Sequence, residues 1–379
     1  MKNRNVLLVL GIIVVIGIVI GFVQMNKPQH IVAPKDGATK EIVVGAILPM
    51  TGELGFYGER EQKALTLYAE THPGVKFIIE DSKGTPKDGL SAATKLSSQG
   101  IRYYITSLSF IVNTVQPAID KQKALNFTLN MDPRTEQTSK YCKRLYVTFY
   151  DEMDKLTELA KATKADKVAV LHVNVESMNN AVQKYLRGKL EGSGIQLYTD
   201  TYEMSTKDFR QQLLKLSATN PKIIRILDYG DKLPIILKQI AEMGLFKNTK
   251  LVTGIEILEC KYQEFPQSIT SHFYFTIPDL LMNPQNAIVQ SYQQKFGSPP
   301  GYDAMFTWDL ANLLVPAIRD KGYDNVDEVI KDITSKGSYK GDAANYTINQ
   351  YGGVSPVIHW AHVDGKAIRF LESIPGGSP

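Results

Sequence analysis

The stretch EIVVGAILPMTGELGFYGER, Glu41 to Arg60, decides how this chain is read. Ile42 to Leu48 is an apolar run of β-branched and small residues, the pattern of a strand buried on both faces. It breaks at Pro49 into a loop carrying Gly52, Gly55 and Gly58, and an amphipathic helix follows. A dinucleotide-binding loop needs the spacing GxGxxG and an acid about 20 residues later to take the ribose. The spacing here is GxxGxxG, Asp81 lies further on, and Glu53, Glu59, Arg60 and Glu61 crowd the helix start with mixed charge. The loop therefore reads as a turn rather than a nucleotide site, its glycines permitting positive φ on the way from strand to helix.

Outward from this stretch the same alternation recurs. VKFIIED, YYITSL and ALNFTL read as strands, separated by helices near Glu59–Thr71, Pro86–Gln99 and Val112–Lys121. The pattern restarts with strands KVAVLHV, IQLYTDTY, IIRILDY and KLVTGI and helices near Asp151–Lys164, Met178–Leu190, Lys207–Ala218 and Lys232–Met243. HFYFTIP, three more helices and an ending with an Asp364-Gly365 hairpin turn complete the chain. Two successive α/β units of the doubly wound kind are expected. The late helices exceed what the second unit needs, so the chain is expected to return to the first and form a hinge.

The 379 residues exceed what one core comfortably organises, which agrees with two lobes. A formal charge of +4, with basic residues interleaved among acids, offers no nucleic-acid face. At the N-terminus Lys2 and Arg4 precede eighteen apolar residues, Val6 to Val23. At ~1.5 Å per residue these span ~27 Å, close to a hydrocarbon core of about 30 Å. The following QMNKPQH holds no small-x-small cleavage site, so an uncleaved anchor is expected, with a cleaved leader as the alternative. Basic residues kept inside would place everything after Lys27 on the extracytoplasmic side. Two cysteines, Cys142 and Cys260, leave pairing open.

No Walker loop, HExxH or GxSxG is present. His359 and His362 fall on opposite faces of a strand, and Asp151, Glu152 and Asp154 open a helix, where acids suit the dipole without any catalytic role. Neither an enzyme nor a cofactor is indicated.

Taken in order, IVVGAILPMTGELGFYGEREQKALTLYAE, IIEDSKGTPKDGLSAATKL, VQPAI, TKDFRQQLLKL, and ILKQIAEMGL followed by LVTGIEIL resemble the type I periplasmic binding proteins of the branched-chain amino acid group, from about Glu41 to Phe370. The resemblance implies two Rossmann-like lobes joined by three crossovers that close on a small polar ligand, an amino acid, amide or amine-like solute, for delivery to the permease of an ABC importer. A sensing or interaction domain that keeps the fold is the alternative. The implied division is 1–5 basic start, 6–23 membrane anchor, 24–40 linker, 41–150 with 278–345 as the first lobe, and 151–277 with 346–373 as the second.

By the same resemblance Tyr57 touches the ligand from the loop, and Ser107, Ser109, Thr128 and Asp132 stand where family members hold a ligand carboxylate. Ser177 stands where a covering tyrosine often lies, Tyr229 matches a strand-end position, and Glu256 an acid that commonly receives the ligand's ammonium. The usual paired serines are missing, and Asp132 replaces a hydroxyl by an acid. Two acids beside two tyrosines would favour a ligand with N–H donors or positive charge.

Overall fold

The computed structural model describes residues 41–278, 283, 285–364 and 367–375. The expected anchor, its linker and Gly365 of the expected turn lie outside them. No helix among the described residues is long and apolar enough to cross a membrane.

Among the described residues two sheets organise the chain. The first takes strands β1 (Ile42–Leu48), β2 (Val75–Asp81), β3 (Tyr103–Ser107), β4 (Leu125–Leu129) and β5 (Cys142–Leu145). The second takes β6 (Lys167–Val173), β7 (Gln196–Tyr202), β8 (Ile223–Leu227), β9 (Lys250–Thr253) and β10 (Phe273–Ile277). The chain then returns to the first sheet with β11 (Ser338–Lys340), β12 (Asn345–Ile348) and β13 (Gly353–Pro356), and ends in the second with β14 (His359–Asp364) and β15 (Ala367–Phe370). Both sheets run parallel in the order second, first, third, fourth, fifth strand: β2-β1-β3-β4-β5 and β7-β6-β8-β9-β10. In each the direction of winding reverses beside the first strand, and the carboxyl ends there open a crevice.

The chain changes sheet three times. The last change falls between Pro356 and His359, not near residue 346 as expected, because β12 and β13 pair within the first sheet. The expectation missed β5 and β11 to β13: they are three or four residues long, and so short a run shows no periodicity. What fastens β13 is Arg144 of β5, whose Nε lies 2.7 Å from Glu136 Oε2 and whose Nη2 donates to Ser355 Oγ at 3.0 Å, with both charged side chains buried.

All seven residues of β1 are buried, as the apolar run requires. Helix Gly55–Thr71 follows directly, and helix Tyr302–Lys321 lies along it, so the late helix belongs to the first lobe. The turn between β1 and the helix depends on Gly58, where a Cβ would stand 2.4 Å from the Pro49 carbonyl oxygen. In the second lobe Thr148 and Asp151 close a capping box on helix Phe149–Ala162. Asp151 thus follows the helix-end reading, but its neighbour Glu152 is buried and points at the second sheet's Arg225. Cys142 and Cys260 are both buried and free.

Candidate functional site

A cavity lies between the lobes at the carboxyl ends of the parallel strands. The first lobe contributes Tyr57 and Glu61 from helix Gly55–Thr71, Ser107, Leu108 and Ser109 at and after the end of β3, Leu129, Asn130 and Met131 at and after the end of β4, Tyr146 after β5, and Tyr302. The second contributes Asp228 and Tyr229 after β8 and Ile255 and Glu256 after β9. Apart from Tyr57, Glu61 and Tyr302, which come from helices, these are strand-end positions, where the backbone leaves the sheet and turns its side chains into the crevice. Leu108 holds φ +68 and ψ 121, a conformation costly for a branched residue, at the step from β3 into helix Ser109–Lys121.

Hydrogen bonds close the cavity from both sides. The Tyr57 hydroxyl donates to the Tyr229 carbonyl oxygen and lies 2.7 Å from the Tyr302 hydroxyl. Arg60 donates to both oxygens of Glu259 at 2.9 and 2.8 Å, and its Nε donates to Asp303 at 2.9 Å. Arg134 reaches Glu176 of the second lobe at 3.1 Å.

The wall is acidic, with Glu61, Asp228 and Glu256 and, among the described residues, no lysine, arginine or histidine. Burial pushes the Glu61 carboxyl well above the ordinary carboxylate range, aided by Asp303 and opposed by Ser107 and Arg60. Burial, then the Glu152 charge, pushes Glu256 up to about 8. Burial likewise raises Asp303 to about 7 despite Arg60. Burial also raises Asp228, although that carboxylate accepts the Tyr202 hydroxyl at 2.6 Å and the Gly230, Lys232 and Leu233 amides. Glu256 Oε2 is buried without a protein partner, and Glu61 Oε2, Ser107 Oγ and Tyr229 OH, buried too, have at most loose contacts, Ser107 with Glu61 and Ser177 with Tyr229. Such groups in a dry cleft are costly unless something else meets them. Tyrosine rings, Leu108, Leu129, Met131 and Ile255 supply an apolar surround.

Of the residues expected to touch a ligand, Tyr57, Ser107, Ser109, Tyr229 and Glu256 stand on this wall. Thr128 does not: it is enclosed in β4 and accepts from Asn130 Nδ2 at 2.7 Å. Asp132 is also displaced from it, because Arg134 takes both its oxygens and Asn113 Nδ2 adds a bond at 3.1 Å. The extra acid expected there is therefore neutralised by its own neighbour. Ser177 sits behind Tyr229, whose hydroxyl it favours in the charged form, and off the wall. The sequence reading passed over Glu61, Asn130, Tyr146, Asp228 and Tyr302. Glu61 had a signal, one helical turn beyond Tyr57 and so on the same face. Tyr302 had none, since its place depends on the return of the chain to the first lobe.

A Leu/Ile/Val-binding protein homologue of Brucella melitensis is 21% identical over 347 residues, covering 88% of this chain and 86% of its own. Among solved structures, a leucine-binding protein of Thermotoga maritima superposes with a TM-score of 0.75 at 19% identity, over 88% of this chain and 98% of that one. A solute-binding protein of an ABC transporter from Rhodopseudomonas palustris, solved with 3,4-dihydroxybenzoic acid, gives 0.75 at 19% identity, over 88% and 99%. The family described as Periplasmic binding protein matches residues 41–355, both lobes of the fold and every element that reaches the cavity, and the chain belongs to that family.

Proposed function

We propose that this protein is an extracytoplasmic solute-binding protein that captures a small polar ligand between two closing lobes and hands it to the permease of an ABC importer. The observation that carries the reading is the cavity itself, whose walls come from the strand ends of both lobes and whose rim is tied by Tyr57 to Tyr229 and Arg60 to Glu259. Contacts made only when the lobes meet let a ligand shift an open–closed equilibrium. Amino acids, amides and amines are the ligand classes that suit buried carboxylates and hydroxyls beside tyrosine rings, with Tyr57, Ser107, Ser109, Tyr229 and Glu256 as the contacts. The relatives support this range, being named for leucine, isoleucine and valine and, in one structure, holding an aromatic acid.

The run Val6–Val23 supports a tether to the cytoplasmic membrane that keeps the folded body beside its importer. The full chain in mild detergent is expected to gain thermal stability with at least one member of a solute library of amino acids, amides, amines, small peptides and aromatic acids. A flat melting temperature across the library would remove the transport reading.

A further inference from the structure

Behind the cavity, one arginine serves two carboxylates. Arg225 of β8 is buried, and its Nη2 lies 2.6 Å from Glu152 Oε2 but 3.5 Å from Glu256 Oε1. Its Nη1 is committed to the Ile226 carbonyl oxygen at 2.6 Å. The remaining oxygens, Glu152 Oε1 and Glu256 Oε2, are buried without partners. Both crowd one point: a Cβ on Gly254 would stand 1.8 Å from the first and 2.7 Å from the second. Only glycine leaves them room to converge.

We propose that Glu152 and Glu256 form a carboxyl pair that shares Arg225 and holds one proton between them, and that the ammonium group which the family resemblance places beside Glu256 binds by displacing that proton. This rests on the solute-binding reading of the cavity. Two carboxylates brought together away from water do not both stay ionised on one positive charge. The missing charge comes from a proton while the cavity is empty and from the ligand when it is full. The proton sits on Glu256, since Arg225 is nearly a full ångström closer to Glu152. Glu256 alone of the pair is on the cavity wall, so the exchange takes place where a ligand arrives. On binding, the proton leaves Glu256 for solvent and the ammonium N–H donates to the freed Oε2.

The other groups facing the pair leave this assignment in place. Asp151, beside Glu152, and Asp228, beside Glu256, both oppose ionisation. Tyr202 and Cys260 feel Glu256 but are buried, with titrations pushed up. Glu152 touches no ligand. It is a positioning residue that, by occupying Arg225, keeps Glu256 protonated until a cation comes.

Infrared spectra of the full chain at pH 6.5 test the pair without any ligand. The native protein minus E256Q is expected to show the band of one protonated carboxyl, and its absence would overturn the proposal. Calorimetry with leucine and with isoamylamine, which share the ammonium and differ in the carboxylate, tests the exchange. Whichever binds should release about one proton, with affinity falling about tenfold per pH unit from pH 7 to pH 5. In E152Q the guanidinium passes to Glu256, so proton release and pH slope should nearly vanish. Binding by the native protein with no proton release overturns the exchange. Should neutral or anionic solutes bind while no ammonium compound does, the exchange fails and solute capture stands. Should nothing bind, solute capture fails, while the infrared band still decides the pair.

Discussion

Arg60 and Glu259 join the two lobes by two parallel hydrogen bonds, Nη1 to Oε2 at 2.9 Å and Nη2 to Oε1 at 2.8 Å. The pair is largely withdrawn from water, with side-chain exposures of 24% and 9%. A bidentate guanidinium–carboxylate contact in such a place is among the stronger polar contacts a protein makes. Because it spans the lobes, its energy counts toward closure. Glu259→Gln is expected to weaken binding of a confirmed ligand by about 1–3 kcal/mol. The ligand-free melting temperature should barely move, since Asp303 still pairs with Arg60. Solution scattering should show a smaller radius of gyration for ligand-bound native protein, and a lesser change for the variant. Unchanged affinity in the variant would show that the contact does not help closure.

Buried acids make the ligand-free protein less stable as pH rises. Asp303 is raised from 3.8 to about 7 and Glu256 from 4.5 to about 8. Between the unfolded and folded values the native state holds protons that the unfolded chain has shed, so stability declines with increasing pH through that window. His172 and His272, held below 6.5 chiefly by burial, act in the opposite direction at lower pH. The decline is therefore clearest from pH 6.5 to pH 8. Urea midpoints at those two values check it, and a higher midpoint at pH 8 would count against the buried-acid account.

Gly58→Ala should destabilise the first lobe by about 1–3 kcal/mol, the scale of an overpacked site. The added methyl would stand 2.4 Å from the Pro49 carbonyl oxygen and 2.5 Å from its carbon, and backbone cannot swing aside as a flexible side chain does. A native-like melting temperature for the variant would show that the turn after β1 has slack.

Arg144→Ala should cost about 3–5 kcal/mol, because it strands the fully buried Glu136 carboxylate. The loss should appear in equilibrium unfolding together with earlier hydrogen exchange in β13, whose Ser355 the arginine also holds. Wild-type protection of β13 would place the anchor of the returning chain elsewhere.

The run Val6–Val23 is expected to hold the protein in membranes against high salt and carbonate, with a mature chain that begins near Met1. Mass spectrometry that finds a start between Met25 and Lys40 would identify a cleaved leader instead.

The repeated α/β design was legible in the residues alone, because buried strands must be apolar and their helices amphipathic wherever they stand in the chain. Also legible were the positions of Ser107, Ser109, Tyr229 and Glu256 at or just past strand ends, and of Tyr57 in the helix start after β1, since such boundaries are marked by local turn chemistry. Folding was needed to reveal that Asp132 is spent on Arg134, that Tyr302 joins the cavity, and that Glu152 shares Arg225 with Glu256. Glu152, Arg225 and Glu256 lie far apart in the chain and leave no periodic trace, and even for Asp132, two residues from Arg134, the partner a carboxylate takes depends on which neighbours burial forces upon it. The short strands β11 to β13 were hidden for a related reason: their pairing with β5 and one another, not their composition, makes them strands.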